Sequence, residues 1–174
     1  MPWNNGGGTT WEVAIHPPGA DWGSFQWRIS IAEIARDGDF SSLPGIDRAL
    51  VVLAGNGMTL TGAAERALDL RAYDCVAFAG EAHVHSRLFD GATRDFNVMT
   101  RRGAARASVR VIRDAIVATP AATTYVCHAA SKPCACRVAG TRIDVGEACT
   151  LIADNGPFEV DATDAVAIVA MVTQ

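Results

Sequence analysis

The segment Phe25-Gln26-Trp27-Arg28-Ile29-Ser30-Ile31 indicates the fold class of this 174-residue chain. Its large apolar residues stand at every second position, with Gln26, Arg28 and Ser30 between them. Successive side chains of a β-strand point to opposite faces, so this alternation predicts a half-buried antiparallel strand with one apolar and one polar face. Arg28 belongs to the polar face.

The same alternation continues along the chain, with β-branched residues clustered between Gly, Asn, Asp and Pro. Sustained helical periodicity is missing, and only residues 31–36 suggest a short turn of helix. Further strands are predicted at residues 9–16, 49–54, 58–61, 75–78, 84–89, 95–100 and 108–117, with more toward the C-terminus. Many short strands separated by turns favour a closed sandwich or barrel, because closure removes exposed strand edges.

An internal repeat supports this interpretation. The segments 68–70, 75–78 and 96–100 resemble the segments 143–145, 149–152 and 169–173, at offsets that fall from 75 residues at the first pair to 73 at the last. A near-constant offset is typical of a duplicated β-unit. Chance similarity between two β-rich segments is the alternative, because alternating Val, Ala and Thr strings align easily.

The repeat directs attention to one strand of the first copy. Asp95 and Asn97 correspond to Ile168 and Ala170 in the second copy, so the polar pair is not required by the shared architecture. We therefore expect it to belong to a functional site in the first half of the chain. The face that it defines on an extended strand contains Asp95, Asn97, Met99 and Arg101.

Composition excludes several classes of protein. The net charge is −4, and no basic stripe offers itself to nucleic acid. The apolar runs are short of the ~20 residues that a membrane-spanning helix needs. Met1-Pro2-Trp3 does not begin a signal peptide, so we expect a cytoplasmic protein.

The cysteines and histidines do not form a recognisable metal motif. The five cysteines, at positions 75, 127, 134, 136 and 149, are odd in number and irregularly spaced, which favours reduced thiols. The alternative is a zinc site from Cys134, Cys136 and Cys127-His128, although structural zinc sites usually use paired cysteines at close spacing. His83 and His85 would share one face of a strand, but no third ligand follows at the spacing of a metal cupin.

The arginines are the more informative charges. Arg28 lies on the polar face of a strand that is otherwise apolar, and Arg48 stands at the entry to another strand. Each could be a solvated charge or could be neutralised by Asp47 or Asp95. An inward pair beside Asp95, Asn97 and Arg101 would instead form an anion-binding pocket that recognises a carboxylate through two parallel hydrogen bonds.

The N-terminal glycine run, residues 4–10, is a weak signal for a phosphate loop, because it lacks the lysine and a strand follows it. A tight turn before a strand is the simpler interpretation. The alternative places Asn5 or Glu12 in the lining of a cavity. No nucleophile with an adjacent base is recognisable, so no catalytic residue is assigned.

Four blocks of this chain resemble the HutD/Ves family, small bicupin-like proteins often encoded with histidine-utilisation genes. These blocks are residues 2–12 (PWNNGGGTTWE), 25–32 (FQWRISIA), 37–48 (DGDFSSLPGIDR) and 95–101 (DFNVMTR). The resemblance implies an all-β, cupin-type β-sandwich or barrel with two pseudo-repeated cups and little helix. The expected organisation is one compact bicupin-like unit over residues 1–174, with a first cup at about 1–105 and a second cup at about 106–174.

The resemblance also implies a non-catalytic regulator of histidine utilisation that binds a small anionic metabolite, such as urocanate or a formylglutamate-like acid. We expect no metal and no cofactor, in line with the histidine and cysteine spacing above, and neither nucleic acid nor a membrane is an expected partner. Cupins often pair as dimers, so a homodimer is the assembly to consider. The expected ligand-binding residues are Asn5, Glu12, Arg28, Arg48, Asp95, Asn97 and Arg101.

Two other classes of function remain open. The first is a metal-free cupin enzyme that acts on a small carboxylic acid, with Glu12 or Asp95 moving a proton. The second is a protein-interaction module that works through an exposed sheet edge.

Overall fold

The structure, a computed structural model, describes residues 1–3 and 6–174, which form seventeen strands and no helix. A helical membrane span is therefore absent from these residues. The predicted all-β class is confirmed. The predicted turn of helix at 31–36 is wrong, because the second strand continues through Ile34. The chain separates into two compact units, Met1–Ala105 and Arg106–Gln174.

The first unit contains nine strands in two antiparallel sheets. They are β1 (Gly8–His16), β2 (Trp27–Ile34), β3 (Gly38–Asp39), β4 (Ile46–Ala54), β5 (Met58–Thr61), β6 (Leu68–Leu70), β7 (Cys75–Ala79), β8 (His85–Leu88) and β9 (Thr93–Arg101). One sheet has the order β1-β2-β9-β4-β7, and the other has the order β3-β8-β5-β6. Each predicted strand of this half overlaps an observed one.

The second unit contains eight strands, which repeat this arrangement. They are β10 (Arg106–Arg113), β11 (Ile116–Ala118), β12 (Thr124–Ala129), β13 (Cys134–Val138), β14 (Thr141–Val145), β15 (Thr150–Asp154), β16 (Phe158–Asp161) and β17 (Val166–Thr173). The sheets have the orders β10-β17-β12-β15 and β11-β16-β13-β14. Every one of these strands has a counterpart in the first unit, β2 matching β10 and β9 matching β17, so the two units share the topology that a duplicated β-unit requires.

The single strand predicted over residues 108–117 is instead two. The backbone of Asp114 has a φ of +44°, a conformation that Asp tolerates better than most residues but that a continuous strand cannot include. β10 therefore ends one residue before Asp114 and β11 begins two residues after it. Alternating apolar residues continue across the break, so the pattern alone did not reveal it.

β2 differs from its prediction in burial. Trp27, Arg28, Ile29 and Ser30 are all buried, so the strand is covered on both faces rather than on one. The prediction of a half-buried strand was wrong because the polar face turns into the first unit instead of toward solvent. A buried charge is costly unless polar groups or water surround it, so the buried arginine on that face indicates a polar cavity beside the strand.

Each unit has its own apolar core. In the first unit Leu50, Met58 and Leu60 are fully buried in a cluster that joins the two sheets. In the second unit the rings of Tyr125 and Phe158 stack with their centroids 4.7 Å apart. The core of the first unit gives way to polar side chains along β2, β9 and β4.

Candidate functional site

The register of three neighbouring strands aligns the polar residues of the first unit in rows. In the first row Arg28 on β2 and Arg48 on β4 are both partners of Met99 on the intervening β9. In the next row Asn97 lies beside Ser30. Strands in a sheet are about 4.8 Å apart, so the α-carbons of the two arginines are about 10 Å apart. The row therefore presents two cations on one face of the sheet.

This face lines a cavity of about 430 Å³, within the range of small-molecule sites. The polar part of the lining is Thr10, Arg28, Ser30, Asp39, Ser41, Arg48, Asp95 and Asn97. The apolar part is Met1, Pro2, Trp3, Trp22, Ala32, Phe40, Leu43 and Met99. An apolar wall with a few convergent polar groups is typical of a site that orients a small polar ligand.

Arg28 is 3% exposed and is held on two sides. Its Nε donates to Glu12 Oε2 at 2.8 Å, and its guanidinium lies 4.8 Å from the centroid of the Trp22 ring. Its Nη2 is buried and has no hydrogen-bond partner among residues 1–3 and 6–174. A buried donor without a partner is costly, so this atom is a place where a ligand oxygen would be stabilised.

Arg48 is 6% exposed and is clamped between two rings. Its guanidinium carbon lies 4.9 Å from the Phe40 centroid and 5.1 Å from the Phe78 centroid. Its Nη2 donates to Asn97 Oδ1 at 3.2 Å, while its buried Nε finds no partner in the described part of the chain. Burial lowers the pKa of Arg48 to about 10, against the opposing charge of Asp95 and with a smaller contribution from the charge of Arg28, so Arg48 stays cationic at neutral pH.

Asp95 is fully buried at the far end of the polar face. Its Oδ1 accepts a hydrogen bond from Asn97 Nδ2 at 3.0 Å, and its Oδ2 is unpartnered by any described residue. Burial raises the pKa of Asp95 to about 6, against the opposing effects of the Asn97 hydrogen bond and the Arg48 charge. Asn97 thus separates a cation from an acid and bonds to both of them.

The strand of the second unit that corresponds to β9 presents apolar residues at its inward positions. Three residues of β17 face the core of that unit: Ala167, Val169 and Met171. Ile168 and Ala170 alternate with them and lie on the opposite face. The predicted correspondence of Asp95 with Ile168 and of Asn97 with Ala170 is therefore wrong by one residue, because a one-residue shift exchanges the faces of a strand. The inward residues are apolar as well, so the shared architecture does not require the polar pair.

The remaining sequence-predicted residues lie outside this lining or outside the described chain. Glu12 is about half exposed on β1 and contacts the site through its ion pair with Arg28. Arg101 is not one of the described lining residues; its Nε donates to Phe25 O at 2.8 Å and its Nη2 to Trp22 O at 3.0 Å. Asn5 falls outside the described residues.

Loops contribute lining residues that sequence reasoning missed. Trp22 lies in the connection between β1 and β2, and Phe40 follows β3 directly. Neither position belongs to a periodic pattern. The available signal was their position relative to the sequence blocks that resemble the family, since Phe40 falls in the block 37–48 and Trp22 lies three residues before the block 25–32.

The histidine pair and the cysteines do not line the described cavity. His83 and His85 are exposed, and His85 Nδ1 lies 2.7 Å from Asp39 Oδ1. All five cysteines are free thiols; the Sγ atoms of Cys127 and Cys134 are 4.0 Å apart in the core of the second unit. In the described chain, no three His, Cys, Asp or Glu side chains are grouped so as to hold a metal ion.

A family comparison assigns this architecture. The HutD family model matches residues 1–170. The chain belongs to the HutD family. This HutD-family chain is 43% identical over 110 residues to the protein Ves of Cronobacter sakazakii, an alignment that covers 63% of this chain and 59% of Ves. It is 36% identical over 143 residues to a 21.2 kDa Pseudomonas putida protein of the hutC 3′ region, covering 82% of this chain and 75% of that protein.

Solved structures agree with the assignment. The HutD-family chain matches the structure of HutD from Pseudomonas fluorescens SBW25 with a TM-score of 0.85 and 30% identity, covering all of this chain and 92% of that one. A cupin 2 conserved barrel domain protein from Leptotrichia buccalis matches with a TM-score of 0.61 at 10% identity, over 95% of this chain and 89% of that one. The second likeness concerns the fold alone, and it confirms the predicted cupin-type architecture of this HutD-family chain.

Proposed function

We propose that this protein is a non-catalytic binder of a small acidic metabolite and that it regulates histidine utilisation by sensing a pathway intermediate, such as urocanate or a formylglutamate-like acid. The observation that carries the proposal is the pair of buried guanidinium groups in one cavity, each with a buried N–H that no described residue satisfies. Guanidinium groups bind carboxylates through parallel hydrogen bonds, and a desolvated cavity strengthens that attraction.

The link to histidine utilisation is supported by the relatives. One relative lies in the hutC 3′ region of Pseudomonas putida, and one solved relative is named HutD. The polar end of the cavity supports a ligand with a second functional group. A carboxylate beside the arginines would leave Asp95 Oδ2 free to accept an N–H from the other end of the ligand.

The test is a thermal-shift screen against histidine, urocanate, formiminoglutamate, formylglutamate and glutamate, each with and without a chelator. A ligand at one hundred times its dissociation constant stabilises the protein by about 2.7 kcal/mol. We expect one pathway acid to raise the melting temperature, chelator to leave the shift unchanged, and the acid to be recovered intact by chromatography. No shift with any acid would contradict the proposal.

Two variants locate the binding. Arg28→Ala and Arg48→Ala are expected to abolish the shift while the folded protein is retained. Unfolding of either variant would instead identify its arginine as half of a structural ion pair, with Glu12 for Arg28 or Asp95 for Arg48. The matched control is Arg102→Ala, because Arg102 is exposed and pairs with Glu81 and Asp47 away from the cavity lining.

A metal-free enzyme is the second candidate, and Asp95 is the observation that favours it. A fully buried carboxylate with a pKa of about 6 and one unpartnered oxygen within the described chain has the properties of a general base. Consumption of an acid in the screen, lost in Asp95→Asn while the thermal shift remains, would support the enzyme. A protein-interaction module would respond to none of these acids.

A further inference from the structure

The connection between β1 and β2, residues 17–26, carries a tryptophan to the cavity. Trp22 is among the cavity-lining residues, yet its side chain is 51% exposed. Its ring meets Phe25 edge-on, with centroids 5.9 Å apart and an interplanar angle of 76°. A large aromatic side chain that is half exposed gains only part of the free energy that full burial would provide. Packing alone is therefore a weak reason for its position.

The guanidinium carbon of Arg28 lies over the Trp22 ring, 4.8 Å from the ring centroid. A guanidinium held against a ring on one side can still donate from its N–H groups on the other sides to a ligand. The edge atom Nη2 of Arg28 has no hydrogen-bond partner in the described part of the chain. Trp22 thus shields the cation from water on one side while its donor still faces the cavity.

The backbone around Trp22 is fixed by hydrogen bonds from a side chain of the sheet. Arg101, at the end of β9, donates from Nη2 to Trp22 O at 3.0 Å and from Nε to Phe25 O at 2.8 Å. On the other side of Trp22, Asp21 Oδ1 accepts from Gly23 N at 3.0 Å and closes a local turn. Arg101 is the side chain that ties this turn to the strand whose earlier residues form the cavity floor.

We propose that Trp22 is a ligand-contacting residue that closes the mouth of the cavity over Arg28, and that Arg101 is a positioning residue that holds the Trp22 turn. This inference rests on the proposed function, since it concerns the same site. A ligand carboxylate on Arg28 Nη2 lies against the Trp22 ring, and the ring excludes water from the ion pair that results. Exclusion of water strengthens such a pair by lowering the local dielectric constant.

The test is isothermal titration of the whole chain with urocanate and with N-formylglutamate. Trp22→Ala is expected to weaken the binding of the acid that wild type binds by about tenfold, in line with a desolvated aromatic contact to a cation. The matched control is Trp11→Ala. Trp11 is 48% exposed and lies 5.9 Å from the guanidinium of Arg94, and the described cavity lining does not include it.

The role of Arg101 is tested by a double-mutant cycle. Arg101→Lys retains the charge but cannot present the planar fork to two carbonyls, so it should weaken binding several-fold in the wild-type background and have no effect in Trp22→Ala. Arg101→Ala is expected to show the same pattern, a weaker affinity in the wild-type background and no effect in Trp22→Ala. If Arg101→Ala does not fold, Arg101→Lys still tests the role. Additive losses would overturn the positioning role.

The outcomes separate the inference from the proposed function. Binding by wild type with unchanged affinity in Trp22→Ala overturns the inference and leaves the proposed function standing. Binding of neither acid by wild type, together with no thermal shift from any of the five screened acids, overturns the proposed function, and the inference falls with it. Equal losses in Trp22→Ala and Trp11→Ala would also overturn the inference, because a general effect of removing a surface indole would then explain both.

Discussion

Arg28 and Arg48 lie on the two strands that flank β9 and are aligned with the same residue of that strand. Two cations on one buried face repel each other, and the charge of Arg28 contributes to the lowered pKa of Arg48. Glu12 pairs with Arg28 from the outside, and Asn97 connects Arg48 to Asp95 by hydrogen bonds, while the charge of Asp95 partly offsets the loss of Arg48 basicity. An anion between the arginines would relieve this repulsion, so occupancy of the cavity should stabilise the folded protein.

Arg48→Lys is expected to lower the affinity for an acidic ligand by at least about tenfold, because an ammonium has no planar fork and stacks poorly between Phe40 and Phe78. The charge is kept, so the stability should change much less than the affinity. Isothermal titration and urea unfolding measure the two quantities. Arg102→Lys is the control, and unchanged affinity in Arg48→Lys would contradict the assigned role.

Asp95→Asn is expected to make the unliganded protein more stable at neutral pH. Burial raises the pKa of Asp95 from 3.8 to about 6, so the stabilisation of the protonated form is complete below about pH 4 and is lost as the pH rises through 6. Above that pH the ionised carboxylate costs on the order of 3 kcal/mol, at about 1.4 kcal/mol per pKa unit. The neutral amide avoids this cost.

Urea unfolding of both proteins between about pH 4 and about pH 8 measures this difference. The unfolding free energy of Asp95→Asn should exceed that of wild type most at about pH 8, and the difference should disappear toward about pH 4. A difference in unfolding free energy that stays constant over this range would show that Asp95 does not titrate within it.

Asn97→Ala removes the amide that joins Arg48 to Asp95. Each of those two groups then loses a hydrogen bond, and a buried group left unsatisfied costs about 1 to 3 kcal/mol. The Asn97 hydrogen bond also lowers the pKa of Asp95, so that pKa should rise further in the variant. Unfolding measurements and a carbon-13 NMR titration of the carboxyl group check both effects. Ser30→Ala is the control, since its contact with Arg28 Nη1 is long, at 3.5 Å.

Gly62→Ala is expected to destabilise the protein much more than Gly91→Ala. Both glycines have a positive φ, of +82° and +70°. A β-carbon on Gly62 would lie 2.0 Å from the backbone oxygen of His83, whereas one on Gly91 would meet nothing within 4 Å. Gly91→Ala should cost only the left-handed backbone conformation, about 1 to 2 kcal/mol. Equal losses in chemical unfolding would contradict the steric argument.

The thiols should fall into two classes. Cys75 and Cys149 are exposed, whereas Cys127, Cys134 and Cys136 are buried. A thiol reagent is expected to modify two cysteines in the native protein and all five in denaturant, because a buried thiol is protected from the reagent. Rapid reaction of a third thiol in the native state would show that the core of the second unit opens.

The sequence was informative where a feature depends on alternation along one strand. Residues 58–61 were predicted as a strand with the observed limits of β5, and the shared face of Asp95 and Asn97 was correct. Arg28 and Arg48 could be suspected singly, but their meeting across Met99 depends on the pairing of strands far apart in sequence. Such pairings are not encoded in local periodicity.

Two kinds of feature could not be predicted from the sequence: the loop residues that line the cavity, and the alignment of β9 with β17, where an error of one residue exchanges the two faces of the strand. Trp22 and Phe40 reach the cavity from connections, where no period marks an inward side chain. Arg101 was placed on the cavity face by alternation, yet its guanidinium bonds to backbone carbonyls of the β1–β2 connection. Asn5 stays a prediction, because it lies outside the described residues.

The recurrence of one strand order in both units also bears on protein engineering. β9 and β17 occupy the same position in their sheets, yet one presents Asp95 and Asn97 to a cavity and the other presents Val169 and Met171 to a packed interior. The framework therefore tolerates opposite chemistries at matched inward positions. The second unit could therefore serve as a scaffold into which arginines equivalent to Arg28 and Arg48 are introduced, with the first unit as the template.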